Sequence, residues 1–312
     1  MWQLGSGVFL GWALGANDAS NVFGTAVASR MLRFRTAALL AVLFIGLGAV
    51  TNGGAGMHTY AGLSATTLNT AFIVSLMSAL TVTMMTYYQL PVSTSQAVVG
   101  ALIAVGLFNG NVDFGILAKV VVCWVGTPIG AMAAAVILYL AVGQGLNAAA
   151  LNLFQYDRVL RIALVLAGSY GAFALGANNV ANVTGAFVGE DMLTVETACI
   201  IGGASIALGV VTFSKGVMMT VGRGLVKLDA FSAFIVILAE SITVHFYALV
   251  GVPVSTSQAV VGGVLGIGIV KGVRTVNKSV LRNILLAWLS TPVISGATTY
   301  LVCMAARGLG LV

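Results

Sequence analysis

The chain has 312 residues, of which 59% are hydrophobic and only 7% are charged, and its mean hydropathy is +1.06. A soluble domain carries about 25% charged residues, so this composition excludes a soluble globular protein. The net charge of +6 does not indicate nucleic-acid binding, because the basic residues lie in short loops between apolar segments, as the positive-inside rule expects. The chain is predicted to be an all-α polytopic membrane protein, since β-barrel strands would be short and alternating.

The apolar segments predict the same order of helices twice, once in residues 1–150 and again in residues 151–312. Each half is expected to contain a first helix, a second helix, a helical pair and a last helix. In the first half these cover residues about 4–29, 36–56, 66–108 and 115–142. In the second half they cover residues about 162–188, 197–214, 230–270 and 283–306, after a connector at 143–156.

An Asn-rich segment occurs in the first helix of each half. Gly15 to Val22 (GANDASNV) matches Gly176 to Val183 (GANNVANV) at an offset of 161 positions. Gly, Asn and Asp are poor helix formers, so these segments are predicted to interrupt their helices and expose backbone carbonyls. Hard oxygen ligands suit a small cation, and a carboxylate inside the membrane is costly and usually functional. The candidate cation ligands here are Asp18, Asn21, Asn179 and Asn182.

The helical pair of each half contains an identical ten-residue block, PVSTSQAVVG. It occupies Pro91 to Gly100 and recurs 162 positions later at Pro253 to Gly262. Proline breaks a helix, and the hydroxyls after it suit the cap of a new helix start, where backbone N–H groups lack partners. Such a start also binds anions. Each pair is therefore predicted to be a hairpin bent at Leu90-Pro91 or Val252-Pro253, with its tip buried at the binding site.

Glu240 is a further acidic residue in an apolar segment, and its repeat equivalent is Ser78. The sequence leaves three roles open for it: ligand of a cation, carrier of a proton, or hydrogen-bond partner of His245. It is counted among the candidate cation ligands. The three cysteines lie singly in apolar segments without metal-ligand spacing, and no cofactor is predicted.

Loop charges predict that the two halves have opposite orientations. The loop after the first helix is basic in the first half and acidic in the second, and the relation reverses at the next loop. The basic residues are Arg30, Arg33, Arg35, Lys215, Arg223 and Lys227, and the acidic ones are Glu190, Asp191 and Glu196. Since basic loops stay cytoplasmic, the halves are predicted to be inverted-topology repeats with broken helices, and both termini to be extracytoplasmic in the cell membrane.

These motifs resemble those of the inorganic phosphate transporter (PiT) family, which has a GANDVAN-like segment in each of two inverted halves and a PVSTTH-like turn. The matching segments are Gly15 to Asn21, Gly176 to Asn182, Pro91 to Gln96 and Pro253 to Gln258. The resemblance implies cation-coupled uptake of inorganic phosphate, usually with sodium and sometimes with protons. It further implies an elevator-like or rocking movement, and dimers are common in the family.

Carried over by position, the resemblance implies that phosphate faces both turns and two asparagines. The implied substrate-binding residues are Asn17, Ser93, Thr94, Ser95, Gln96, Asn178, Ser255, Thr256, Ser257 and Gln258. Asp18, Asn21 and Asn182 would face the cations. The chain departs from the family pattern where Asn179 replaces a second aspartate and where Gln96 and Gln258 replace a histidine.

The sequence thus predicts a secondary active transporter that imports phosphate by symport, with sodium favoured over the proton. Two alternatives share the same fold: a permease for sulfate or another oxyanion, and a passive anion channel that needs no coupled cation. An intramembrane hydrolase using Ser93 or Ser255 is disfavoured, because no Lys or His lies close in sequence. The expected partners are the anion, a monovalent cation and the lipid bilayer.

Overall fold

The computed structural model describes residues 2–28, 30–87, 92–189, 192–224, 228–272 and 278–311. These residues form eleven α-helices and no β-strand, which confirms the all-α prediction. The helices are α1 (Leu4–Ala28), α2 (Phe34–Asn52), α3 (Gly54–Leu63), α4 (Leu68–Tyr87), α5 (Thr94–Asn109), α6 (Phe114–Ala148), α7 (Leu153–Thr184), α8 (Val195–Gly224), α9 (Ala230–Val250), α10 (Thr256–Lys271) and α11 (Lys278–Gly308). A 3-10 turn follows α7 at Gly185–Phe187.

Seven of the described helices are long and apolar enough to cross a membrane, namely α2, α4, α6, α7, α8, α9 and α11. Large apolar side chains project from them, and Leu39 on α2 and Leu289 on α11 are 70% and 72% exposed. Helices α5 and α10 have only 16 residues each. At ~1.5 Å per residue they reach ~24 Å, less than the ~30 Å hydrocarbon core. The chain is therefore an integral membrane protein whose hairpins each have one short arm.

Helices α1 and α7 run unbroken through the Asn-rich segments, so the predicted interruption there is wrong. The poor helix propensity of Gly, Asn and Asp costs at most ~1 kcal/mol per residue, and close packing outweighs it. A Cβ on Gly15 would lie 1.9 Å from the carbonyl oxygen of Ile206, and one on Gly176 would lie 2.1 Å from that of Ile45. Because the helical carbonyls bond within the helices, side-chain oxygens are the ligands that these segments offer.

Two predicted boundaries also differ from the structure. Helix α6 extends to Ala148 and α7 begins at Leu153, so most of the predicted connector at 143–156 is helical. Asn152 fixes the start of α7 through a capping box, in which its side chain accepts from the N–H of Gln155 at 2.9 Å. The second helix of the first half ends at Asn52, and α3 occupies residues that were predicted to form a loop.

The two halves are interleaved within one molecule. Helix α1 packs along α8 and α7 packs along α2, while α5 packs on α11 and α6 on α10. Equivalent glycines make equivalent close contacts across these pairs. A Cβ on Gly100 would lie 2.2 Å from the carbonyl oxygen of Pro292, and one on Gly262 would lie 2.2 Å from that of Pro128. The contacts are thus reproduced when the halves are exchanged, as expected of two copies of one ancestral unit.

The opposite orientation of the halves in the membrane stays a prediction, as does the division at residue 150. Glu190, Asp191 and Lys227, on which the loop-charge comparison depends, lie outside the described residues.

The close glycine contacts lead to a prediction about stability. Replacing Gly48 with alanine is expected to destabilise the protein by about 1–3 kcal/mol, the usual cost of overpacking, because the added Cβ would lie 2.0 Å from the carbonyl oxygen of Phe173 on α7. Gly46→Ala on the same helix is the matched control, since no atom lies within 4 Å of its added Cβ. Thermal unfolding in detergent checks both, and equal melting temperatures would contradict the packing of α2 on α7.

The polar blocks restart helices as the sequence predicts. Ser93 is the N-cap of α5 and accepts from the N–H of Gln96 at 3.3 Å, and Ser255 caps α10 through the N–H of Gln258 at 3.3 Å. Helix α9 ends at Val250, and its C-cap Gly251, with a φ of 79°, reverses the chain before Val252-Pro253, so this bend is confirmed. The predicted bend at Leu90-Pro91 lies outside the described residues.

Candidate functional site

The two Ser/Thr turns meet in the interior of the protein. The hydroxyl of Ser95 donates to the carbonyl oxygen of Val254 at 2.9 Å, and the hydroxyl of Ser257 donates to that of Val92 at 3.1 Å. These are the same contact in each direction, because Ser95 and Ser257, like Val92 and Val254, are equivalent in the repeat. Each turn thus bonds the backbone of the other, and both helix starts border one shared space.

Asn178 of α7 fixes the second turn from the side. Its amide nitrogen donates to the carbonyl oxygen of Val254 at 2.7 Å, and its amide oxygen accepts from the N–H of Val254 at 2.9 Å. All of these groups are buried. The equivalent residue of the first half, Asn17, is half-buried, and its side chain has no hydrogen bond within the described part of the chain. The repeat is therefore asymmetric at this position.

Asp18 of α1 lies beside the second turn with its side chain buried. Its Oδ2 accepts from the hydroxyl of Thr256 at 3.1 Å and from the amide of Asn179 at 3.4 Å. The ion pairs of the described residues are Arg161–Asp157 and Lys271–Asp229, so no described basic side chain neutralises Asp18. A buried carboxylate without a counter-charge is costly, and a bound cation would offset that cost.

Asparagine side chains link Asp18 to the first turn. The amide oxygen of Asn179 accepts from Asn178 at 2.9 Å and from Asn182 at 2.8 Å, and the amide of Asn182 donates to the hydroxyl of Ser95 at 3.1 Å. The network therefore runs from one turn to the other through α7. Asp18 carries the only formal charge among the groups of this network.

Tyr60 completes this network, although it was not among the candidate residues predicted from the sequence. Its hydroxyl donates to the amide oxygen of Asn182 at 2.6 Å, and its side chain is fully buried. The sequence signal is weak, because Tyr60 falls between the second predicted helix and the helical pair and has no counterpart in the second half. Only the presence of α3 in the interior directs the phenol towards the asparagines.

The shared space between the turns is small and polar. The gaps between its lining atoms amount to about 150 Å³, including space that is open to solvent, and none of these gaps is wide enough for a water molecule. The lining residues are Asp18, Val92, Thr94, Ser95, Asn179, Ser255, Thr256 and Ser257. The hydroxyls of Ser255 and Ser257 lie 2.8 Å apart. Seven of the candidate residues line this space, namely Asp18, Thr94, Ser95, Asn179, Ser255, Thr256 and Ser257. Two more, Asn178 and Asn182, hydrogen-bond to lining residues.

Some candidate residues lie outside the chamber lining. Ser93 serves as a helix cap, and Asn21 on α1 is half-buried without a side-chain hydrogen bond to a described residue. Gln96 and Gln258 are buried one turn into their helices, and the Oε1 atom of each has no partner in the described part of the chain. Each amide oxygen is therefore an unused acceptor close to a helix start.

Glu240 is buried on α9, and one of the three roles left open for it is not observed. His245 lies 2.9 Å from the hydroxyl of Tyr170 through its Nδ1, and it makes no hydrogen bond to Glu240. The Oε2 atom of Glu240 is buried without a partner among the described residues. Glu240 does not line the chamber.

The arrangement offers two kinds of chemistry in one place. Hydroxyls and the starts of α5 and α10 supply donors and a favourable dipole for an anion. The carboxylate of Asp18 and the amide oxygens of Asn179 and Asn182 supply hard oxygen ligands for a small cation. A nucleophile–base pair is not observed within the described residues at Ser93 or Ser255, whose hydroxyls bond a backbone N–H and, for Ser255, another serine.

Comparisons with known proteins agree with this chemistry. Residues 14–299 match the phosphate transporter family. A protein of Methanocaldococcus jannaschii named "putative phosphate permease" is 32% identical over 287 residues, which cover 92% of this chain and 91% of the relative. The sulfate permease CysP of Bacillus subtilis is 27% identical over 311 residues, covering 95% of this chain and 84% of the relative.

A solved structure named "The sodium-dependent phosphate transporter" has the same fold. Its TM-score is 0.85 at 23% identity, and the match covers 98% of this chain and 99% of that one. The family match extends over most of the chain and includes both Asn-rich segments and both Ser/Thr turns. The chain therefore belongs to the phosphate transporter family and is a transporter, not an enzyme.

Proposed function

We propose that the protein imports inorganic phosphate by symport with a monovalent cation, and that sodium is favoured over the proton. The observation that carries the proposal is the position of Asp18, an unneutralised buried carboxylate whose Oδ2 accepts from Thr256 at 3.1 Å beside two helix starts. Cation and anion would then occupy one chamber and stabilise each other electrostatically. The fold shared with a structure named as sodium-dependent supports the choice of cation.

The anion is assigned to the two turns. Thr94 and Ser95 from one turn and Ser255, Thr256 and Ser257 from the other line the chamber. Phosphate needs donors for several oxygens, and hydroxyls at two helix starts provide them without a buried basic side chain. In this proposal five further residues surround the chamber lining and either hold the turns in place or reach the anion after a side-chain movement. They are Asn17, Ser93, Gln96, Asn178 and Gln258.

The cation is assigned to the α1–α7 side of the chamber. Asp18 provides the charge, and the amide oxygens of Asn179 and Asn182 provide neutral ligands on the same side, with Asn21 one turn further along α1. Because Asn179 stands where the family pattern has an aspartate, the chamber carries one fewer negative charge than that pattern implies. We therefore expect fewer sodium ions per phosphate than for a transporter with both carboxylates.

Alternating access is assigned to movement of the hairpins together with α1 and α7. The reciprocal Ser95–Val254 and Ser257–Val92 bonds join the two tips, so the tips would move as a unit against the long helices α6 and α11. The inverted repeats, the extracytoplasmic termini and the cell-membrane location belong to this proposal, and a homodimer is the expected assembly from the family pattern.

Uptake by proteoliposomes separates this proposal from its rivals. Labelled phosphate and labelled sulfate are supplied with and without a sodium gradient. The proposal predicts sodium-stimulated phosphate uptake that exceeds sulfate uptake. The similarity to the sulfate permease of Bacillus subtilis makes sulfate the main rival substrate. Preferential sulfate uptake would reassign the substrate, whereas uptake that only equilibrates the anion would indicate a passive channel.

Tyr60→Phe tests whether the asparagine network sets cation affinity. The change removes the hydroxyl that donates to Asn182 Oδ1 at 2.6 Å and preserves the ring. Loss of one hydrogen bond of this kind costs about 1–1.5 kcal/mol, so the half-saturating sodium concentration should rise about tenfold. Tyr156→Phe is the control, because Tyr156 lies at the start of α7, far from the chamber lining. Unchanged sodium dependence of uptake in Tyr60→Phe would show that Tyr60 does not contribute to cation binding.

A further inference from the structure

A basic surface patch forms where the α1–α2 loop meets α8. It consists of Arg30, Arg33, Arg35 and Lys215, all exposed. The Nζ of Lys215 lies 6.0 Å from the centre of the Phe34 ring, so residues about 180 positions apart in the chain come together here. Leu32, Phe34 and Met219 pack against one buried apolar cluster that includes Met218 of α8, and this cluster joins the loop to α8. The basic residues of two segments that were separately predicted to be cytoplasmic thus share one surface.

The charges of this basic patch are not neutralised by the described part of the chain. The two described ion pairs, Arg161–Asp157 and Lys271–Asp229, lie on other helices. The patch also includes the start of α2, where the N-cap residue Arg33 makes no side-chain cap hydrogen bond. Uncapped N–H groups at a helix start add to the attraction that arginine side chains exert on a phosphate group.

Arg30 occupies a backbone conformation that disfavours a side chain. Its φ is 61°, in the left-handed region where glycine is the low-energy residue. Arginine is less favourable than glycine in this conformation, so the position suggests a role for the arginine charge.

Two apolar stripes descend from the basic patch along the lipid-facing surface. On α2, Leu39, Leu43 and Leu47 follow Arg35 at intervals of four residues and are 70%, 54% and 46% exposed. On α8, Val211 and Leu208 precede Lys215 at helical spacing and are 59% and 51% exposed. Each stripe therefore has a basic residue at its end, and α2 packs against α8. A two-chain anionic phospholipid has the matching chemistry, because its phosphate group can bind the basic patch and its two acyl chains can lie along the two apolar stripes.

We propose that the basic patch and the two stripes bind one anionic phospholipid, with its headgroup phosphate on the basic residues and its acyl chains along α2 and α8. Basic residues beside an anionic leaflet are attracted to it, and apolar stripes add contacts that free phosphate could not make. The site lies on the outer surface of the protein and is separate from the chamber. It would hold α2 and α8 at a fixed depth in the bilayer.

Native mass spectrometry of the full chain in detergent tests this with added phosphatidylglycerol and phosphatidylcholine. The patch variant combines Arg30→Gly, Arg33→Gln, Arg35→Gln and Lys215→Gln. The charge-matched control combines Arg158→Gln, Arg161→Gln, Arg282→Gln and Arg307→Gln. Phosphatidylglycerol is expected to bind the patch variant at least about tenfold more weakly than the wild type, since each basic residue near an anionic headgroup contributes to binding. The control is expected to bind within about twofold of the wild type.

Equal weakening in the patch variant and the control would overturn the proposal, as would equal binding of both lipids to the wild type. Displacement of the lipid by inorganic phosphate alone would instead make the patch a surface for free phosphate. If the patch variant does not fold, Arg30→Gly and Lys215→Gln are measured singly. Each is expected to weaken binding about fivefold. Arg30→Gly suits the left-handed conformation, so its folding should be preserved, and unchanged lipid binding by both single variants would also reject the site.

Discussion

Asp18→Asn is expected to abolish sodium-dependent phosphate uptake while the protein remains folded and inserted in the membrane. The asparagine keeps an oxygen in place to accept from Thr256, so the second turn retains its neighbour. The substitution removes the one formal charge of the asparagine network, and a cation would then have only neutral ligands deep in the protein. Uptake into proteoliposomes under an inward sodium gradient is the measurement, and the signal should fall to that of protein-free vesicles.

An exposed acid provides the control for this variant. Asp157→Asn removes a surface charge from a pair with Arg161 that is separated by 3.3 Å and is about half exposed. Exposed pairs of this kind contribute little to stability, so uptake should remain near the wild-type rate. Undiminished uptake by Asp18→Asn would show that Asp18 does not bind the coupled cation. A loss of folded protein, seen as aggregation in size-exclusion chromatography, would show that the carboxylate is structural.

Asn178→Ala is expected to be the most destabilising change at the site. Asn178 accepts from the N–H of Val254 and donates to its carbonyl oxygen, and both backbone groups are buried in the turn. Alanine leaves the buried N–H of Val254 without a partner, at about 1–3 kcal/mol. It also removes one of the two hydrogen bonds to the carbonyl oxygen, which still accepts from Ser95, at about 1 kcal/mol. The apparent free energy of unfolding should therefore fall by about 2–4 kcal/mol, and phosphate uptake should fall with it because the second turn loses its support.

Asn17→Ala is the matched control for stability, because Asn17 is the repeat equivalent and makes no side-chain hydrogen bond to a described residue. Its unfolding free energy should change by less than about 0.5 kcal/mol. Equal destabilisation by the two variants would contradict the asymmetry between the halves. Phosphate uptake by Asn17→Ala is a separate measurement, which tests the proposal that Asn17 reaches the anion.

The helix starts at the two turns could be predicted because several local rules agree there. A proline that breaks a helix, hydroxyls that cap the next one and an identical repeat all indicate the same structure, and Ser93 and Ser255 are the observed caps. The repeat equivalence also led to the expectation that the turns meet. The reciprocal bonds of Ser95 and Ser257 confirm that expectation.

The Asn-rich segments show where local propensity fails. Gly15 and Gly176 suggested a break, but they are required for backbone contact between helices of different halves. That contact depends on how the halves interleave, which a single sequence does not reveal. Tertiary packing therefore overrides the propensity of the segment. The chemistry assigned to the segments is retained in part, because the side-chain oxygens of Asp18 and Asn179 remain at the chamber.

Tyr60 and Glu240 could not be placed from the sequence for related reasons. Neither residue is repeated in the other half of the chain. Val221 stands 161 positions after Tyr60, and Ser78 stands 162 positions before Glu240. Without a repeated partner, their direction depends on the packing of α3 and α9. Packing brings Tyr60 to Asn182 and leaves Glu240 outside the chamber lining. The positions of the non-repeated residues thus depend on tertiary packing alone.

Accumulation of labelled phosphate by proteoliposomes under an imposed inward sodium gradient tests the coupling of anion and cation most directly. If Asp18 and the two turns bind sodium and phosphate together, internal phosphate should rise transiently above the external concentration and decay as the gradient dissipates. Equilibration without overshoot at every sodium concentration would contradict the account, because the anion would then cross the membrane without a coupled cation.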